Sequence, residues 1–119
     1  MIIALWVVTG ILAVMFVAAG SMKVVKPYAE VRGKMEWVET VSPPQLKGIG
    51  ALEVLGALGM VLPAATGIAP WLTPIAAFAL FGMMVVAAVL HVRRKESATP
   101  SVVLGIIALV VGIGWLVFA

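Results

Sequence analysis

The stretch Gly48–Pro63, "GIGALEVLGALGMVLP", decides how this chain must fold. It is apolar and small-sided nearly throughout. A membrane-crossing helix needs roughly 20 apolar residues, because it rises about 1.5 Å per residue through a hydrocarbon layer about 30 Å thick. With its flanks, this stretch is long enough. One residue breaks the pattern: Glu53. A carboxylate at the centre of a membrane helix costs about 2.5–3.5 kcal/mol on insertion scales, so it calls for a partner inside the protein. Gly50, Gly56 and Ala57 lie at i−3, i+3 and i+4 from Glu53 and share its face. Small residues let helix backbones approach closely in lipid, so this face is the packed one.

The rest of the composition agrees. The 119 residues suffice for one domain, spanning residues 1–119. Of these, 64% are hydrophobic and 11% charged, where soluble domains run near 45–50% and about 25%. The surplus must face lipid. The absence of cysteine excludes disulfides, thiolate metal sites, iron–sulfur clusters and thiol redox chemistry by the chain itself. A net charge of +3 does not point to nucleic acid, because all eight Lys and Arg fall in or beside two connecting segments, where membrane topology accounts for them.

Four spans are expected, at about 1–22, 43–62, 71–91 and 101–119, joined by connections at 23–42 and 92–100. Ser42-Pro43, Thr73-Pro74 and Thr99-Pro100 each read as an N-cap followed by proline at the first helical position. Pro63 reads as the stop of the second span, and Trp71 and Trp115 as interfacial anchors. Strands of a membrane barrel would alternate apolar and polar residues, and these segments do not, so the fold class is an all-α four-helix bundle. The first span reads as uncleaved. It has no basic leading region, and its apolar run exceeds the 7–15 residues usual in a signal peptide.

The first connection carries Lys23, Lys26, Arg32, Lys34 and Lys47 with Glu30, Glu36 and Glu39. The third carries Arg93, Arg94, Lys95 and Glu96. The second, "AATGIAP", has no charge. The positive-inside rule therefore places residues 23–42 and 92–100 in the cytoplasm and both termini outside. Within the first connection, Tyr28, Val31, Met35 and Val38 follow helical spacing, as in a short interfacial helix, although Gly33 weakens it.

Depth suggests partners for Glu53. It lies six residues past Lys47, about 9 Å up the helix. Lys23 closes the first span and His91 the third, both at the same membrane face. Lys23, Glu53 and His91 are thus expected to form an intramembrane polar cluster, with Lys23–Glu53 as its core. The bland reading stands beside it: Glu53 as a packing lock, Lys23 snorkelling to the headgroups, His91 an ordinary interfacial histidine. Gly20, Gly50, Gly56, Ala57, Gly105, Ala108 and Gly112 are the expected helix-packing positions. No catalytic or metal residue is assigned: there is one His, no Cys, and a single acid within the spans. "GIGALE" lacks the third glycine and the preceding strand of a dinucleotide loop.

"FVAAGSMKV" at Phe16–Val24, the stretch "GIGALEVLGALGMVLP", and "GIAPWLTPIAAFALFGMMVVAAVLHVRRKE" ending at Glu96 resemble the DoxX-like family of small four-helix membrane proteins. The resemblance rests most specifically on Gly20 with Lys23, Glu53 with Gly56 and Ala57, Leu62-Pro63, and His91. It covers nearly the whole chain and is weakest in the fourth span, where Thr99 or Ser101 stands at the helix start. It implies a helper or partner-binding membrane protein, and distantly a chaperone of receptor assembly. It also admits a quinone as cofactor, because some relatives are linked to membrane redox complexes. The expected location is a bacterial cytoplasmic membrane.

Three functions follow as expectations. The first is a non-catalytic helper binding another membrane protein or a lipid. The second is a quinone-associated subunit of a redox complex. The third is a proton-coupled transporter, which fits less well: small multidrug transporters carry their membrane Glu in the first span, and this first span has none. Homodimerisation is compatible with the glycine faces, and no nucleic-acid partner is expected.

Overall fold

The computed structural model describes residues 2–118, so Met1 and Ala119, assigned above to the first and last spans, lie outside the described residues. Helix α1 runs Ile2–Val25, α2 Tyr28–Lys34, α3 Pro43–Thr66, α4 Leu72–Arg93 and α5 Thr99–Phe118, with a single 3₁₀ turn at Glu36–Thr40 between α2 and α3. Helices α1, α3, α4 and α5 are each long and apolar enough to cross a membrane. Their length and composition are those of an integral membrane protein.

The four spans form a ring. Helix α1 packs mainly on α3, α3 on α4, and α4 on α5, while α5 closes lightly on α1. Each neighbour runs antiparallel to the last. Gly20 meets Gly50 at one end of the α1–α3 pair. Gly56 and Gly59 meet Leu80 and Ala76 between α3 and α4, and Gly105 and Gly112 meet Met84 and Phe78 between α4 and α5. The core within the ring holds Leu12, Phe16, Met60, Leu80 and Val111, all essentially inaccessible. The outer faces carry Ile3, Ile11, Val14, Leu52, Leu55, Val86, Ile106 and Val110. Exposed aliphatics along every span are what a lipid solvent requires.

All charged connections gather at one end. There, α2 and the 3₁₀ turn form a small cap with its own apolar core. Val31, Val38 and Leu46 are buried, with Tyr28, Met35, Trp37 and Val41 packed around them. The helical stripe Tyr28–Val31–Met35–Val38 is therefore the inward face, although the helix breaks at Met35, where the backbone is extended (φ −129°, ψ 97°). The Tyr28 hydroxyl lies 3.0 and 2.8 Å from the Val38 and Val41 carbonyl oxygens and holds the turn to α2.

The helix signals divide. Ser42 forms a full capping box with Gln45: its Oγ accepts the Gln45 N–H, and Gln45 Oε1 accepts the Ser42 N–H. Pro63 does not stop α3. The helix continues to Thr66 and ends at Gly67 in the left-handed region (φ 73°), whose N–H reaches the Pro63 carbonyl. A proline lacks a donor but keeps its acceptor, so the turn after it can still close. Thr73 is not an N-cap either. It lies inside α4, fully buried, and its hydroxyl accepts the Ala64 N–H of α3 at 3.1 Å. The threonine ties two helices together near Pro63 instead of starting one. Helix α5 likewise begins at Thr99, with Thr99 N–H donating to Ser97 Oγ.

Candidate functional site: a buried ion pair beneath a charged cap

Two glycines set the geometry. A Cβ on Gly20 would stand 2.5 Å from the Gly50 carbonyl oxygen, and one on Gly50 would stand 2.5 Å from the Gly20 carbonyl oxygen. The α1 and α3 backbones touch at this crossing, as only glycine permits. Lys23 then packs over Gly50, and Glu53 over Gly20. Side chains lean toward the N-terminus of their own helix. In an antiparallel pair, Lys23 leans into the bundle and Glu53 leans toward the charged end. They meet, with Lys23 Nζ 2.5 Å from Glu53 Oε1. The side chains are only 9% and 3% exposed, so Lys23 is turned away from the headgroups and does not snorkel.

Trp37, from the 3₁₀ turn, lies against this pair on the cap side. Its ring centroid is 5.7 Å from Lys23 Nζ, within the range of cation–π attraction. Trp37 also stands edge-on to His91, with ring centroids 6.3 Å apart and planes at 83°. Lys23 and Glu53 are thus brought together, while His91 takes its hydrogen-bond partner elsewhere. His91 Nδ1 lies 3.2 Å from Glu96 Oε1, and Arg94 Nε donates to the same oxygen at 3.1 Å. The reason is local. Past α4 the chain turns through Lys95 in the left-handed region (φ 59°), and the Glu96 N–H bonds back to the His91 carbonyl. An acid five residues away and held by its own backbone is a nearer partner for the imidazole.

Arg94 extends this second network, donating from Nη2 to Glu39 Oε1 at 2.9 Å and tying the third connection to the cap. The hydrogen bond to Glu39 holds the Arg94 guanidinium above its ordinary range, outweighing burial. Burial works to raise the Glu96 carboxyl, but the hydrogen bonds and charges of His91 and Arg94 prevail and hold it below its ordinary value of 4.5. Trp37, Glu39, Arg94 and Glu96 were not singled out from the sequence. The available signals were a tryptophan on the amphipathic segment and an acid closely following His91.

At the far end, Thr9 is fully buried. Its hydroxyl donates to the Leu5 carbonyl and accepts Trp115 Nε1–H at 3.0 Å. Trp115 therefore points its polar edge into the bundle and stacks edge-on against Trp6, while Trp71 is exposed. Among the described residues, no buried side-chain nitrogen or oxygen lacks a partner. No cluster of three or more His, Asp or Glu suited to a metal ion occurs among them. A surface groove lies at each end of the bundle; Lys23 and Glu53 line neither, and Trp37 lines the one at the charged end.

The model of the DoxX-like family matches residues 7–116, almost the whole length. This chain belongs to the DoxX-like family. No curated protein and no solved structure matches it. Within this DoxX-like chain, the matched region takes in both ends of the Lys23–Glu53 pair, Trp37, His91 and the glycine crossing.

Proposed function

We propose that this DoxX-like protein is a non-catalytic membrane helper, acting by binding another membrane protein or a lipid. One observation carries the reading: the acid buried in the spans is closed on its lysine, with the two side chains only 3% and 9% exposed. A buried carboxylate that shuttles protons or holds a quinone headgroup needs an approach for water or ligand. Glu53 instead behaves as a lock that fixes how α1 and α3 cross. Binding is then left to the outer surface, whose exposed aliphatics are interrupted at Gly10 and Gly82, which face open space and suit helix–helix association. No observation favours the redox-subunit or transporter readings in particular.

Cross-linking in native membranes, followed by affinity purification and mass spectrometry, tests this reading. A specific membrane protein or lipid should be recovered with the chain. Recovery of the chain alone, or turnover of quinone by the purified protein, would overturn it.

A further inference from the structure

At the charged end, a groove of about 470 Å³ opens between the cap and the α4–α5 connection, with Lys34, Met35, Glu36, Trp37, His91 and Pro100 in its wall. It lies where α4 ends and α5 begins, the level of lipid headgroups in a spanning bundle. We propose that this groove binds the headgroup of an aminophospholipid, a phosphate diester bearing a primary ammonium. The inference rests on the reading of the chain as a binding protein and gives it a ligand class.

The charges in the groove are unevenly matched, and the mismatch is specific. Lys26 and Lys34 share one carboxylate, Glu30, at 3.5 and 3.9 Å. That leaves a surplus positive charge at the Lys34 edge, suited to a phosphate. Glu36, on the same wall, has no cation within 4.0 Å among the described residues, and suits an ammonium. His91 adds a second polar group to the wall, its Nδ1 held at Glu96 Oε1, and Glu96 lines the same groove. A primary ammonium can pair with the Glu36 carboxylate and still has further N–H donors for the other acceptors of that wall. Met35, Trp37 and Pro100 offer an apolar wall for the glycerol and upper acyl chain. A quaternary ammonium has no N–H to donate, and a simple anionic headgroup has no cation for Glu36.

The full chain is to be reconstituted in nanodiscs holding equal phosphatidylethanolamine, phosphatidylcholine and phosphatidylglycerol, released into the gas phase, and its retained lipids counted by native mass spectrometry. Phosphatidylethanolamine should be retained at least threefold over phosphatidylcholine. Glu36→Gln should abolish that preference while leaving the helical circular dichroism and melting profile close to wild type; His91→Ala should abolish it as well, with a lower melting temperature because the contact to Glu96 is lost. Should either variant unfold, Lys34→Gln, at an exposed site, provides the same readout. Equal retention of all three lipids would overturn the proposal, as would a preference for phosphatidylglycerol. Neither result would touch the wider reading, which fails only if no protein or lipid partner is recovered from native membranes.

Discussion

The Lys23–Glu53 pair has two opposing energies. Removing two charges from water is costly, and mutual attraction offsets that cost only while both partners stay in place. Glu53→Ala should therefore leave an ammonium buried without a counterion and destabilise the fold by about 3–5 kcal/mol, the range for breaking a buried pair. Lys23→Met combined with Glu53→Leu removes both charges, and stability should return to near or above wild type. Thermal unfolding in mild detergent, followed by circular dichroism, measures both. A double variant as unstable as the single one would show that Lys23 and Glu53 serve separate partners. That an acid in this helix faced the packed side was legible from Gly50, Gly56 and Ala57 around it. The imidazole's partner was not, because the turn through Lys95 that delivers Glu96 to His91 leaves no periodic trace in the sequence.

At the scale of elements, the glycines separate into two kinds that composition alone does not distinguish. Gly20 and Gly50 face each other's backbone, and an added methyl on either meets a carbonyl oxygen that cannot swing aside. Gly20→Ala should force α1 and α3 apart, loosen the ion pair, and lower the melting temperature clearly. Gly82 faces open space. Gly82→Ala should be neutral or stabilising by up to about 1 kcal/mol, the helix-propensity difference. Equal effects of the two, in parallel melts, would remove the glycine crossing as the determinant of the site. The clasp between the connections makes a pH prediction. Glu96 is held below its ordinary value of 4.5, so its pairing stabilises the protein fully above that pH and less as pH falls through the lowered value. The melting-temperature difference between wild type and Glu96→Gln should shrink toward zero as the pH falls below 4.5 and through the lowered Glu96 value. Element ends were the least legible part of the chain. Pro63 and Thr73 carry strong local signals for a stop and a start, yet across the α3–α4 contact Thr73 supplies the hydroxyl that the Ala64 N–H meets.

For the whole molecule, the four spans were readable because lipid leaves few alternatives: a long charge-free run must be a helix, and four of them must pack with small residues inward. The cap was only half readable, since its stripe of Tyr28, Val31, Met35 and Val38 signalled one helix and the chain breaks it in two at Met35. The same charges predict the direction of the bundle in the membrane. Eight basic residues stand in or beside the two connections at one end, and the opposite turn, Gly67–Trp71, has none. The bias of Lys and Arg sets orientation in short-looped proteins, so the cap should face the cytoplasm. The chain contains no cysteine, which makes single-cysteine labelling direct. Ile68→Cys, exposed at the uncharged turn, should react with an impermeant maleimide in intact cells. Lys95→Cys, at the charged end, should react only after the membrane is opened. The reverse pattern would invert the bundle and carry the aminophospholipid groove to the outer leaflet, because the groove and the basic residues share one end. Labelling of both sites in intact cells would mean that the chain inserts in two orientations, as a pair of antiparallel copies would require.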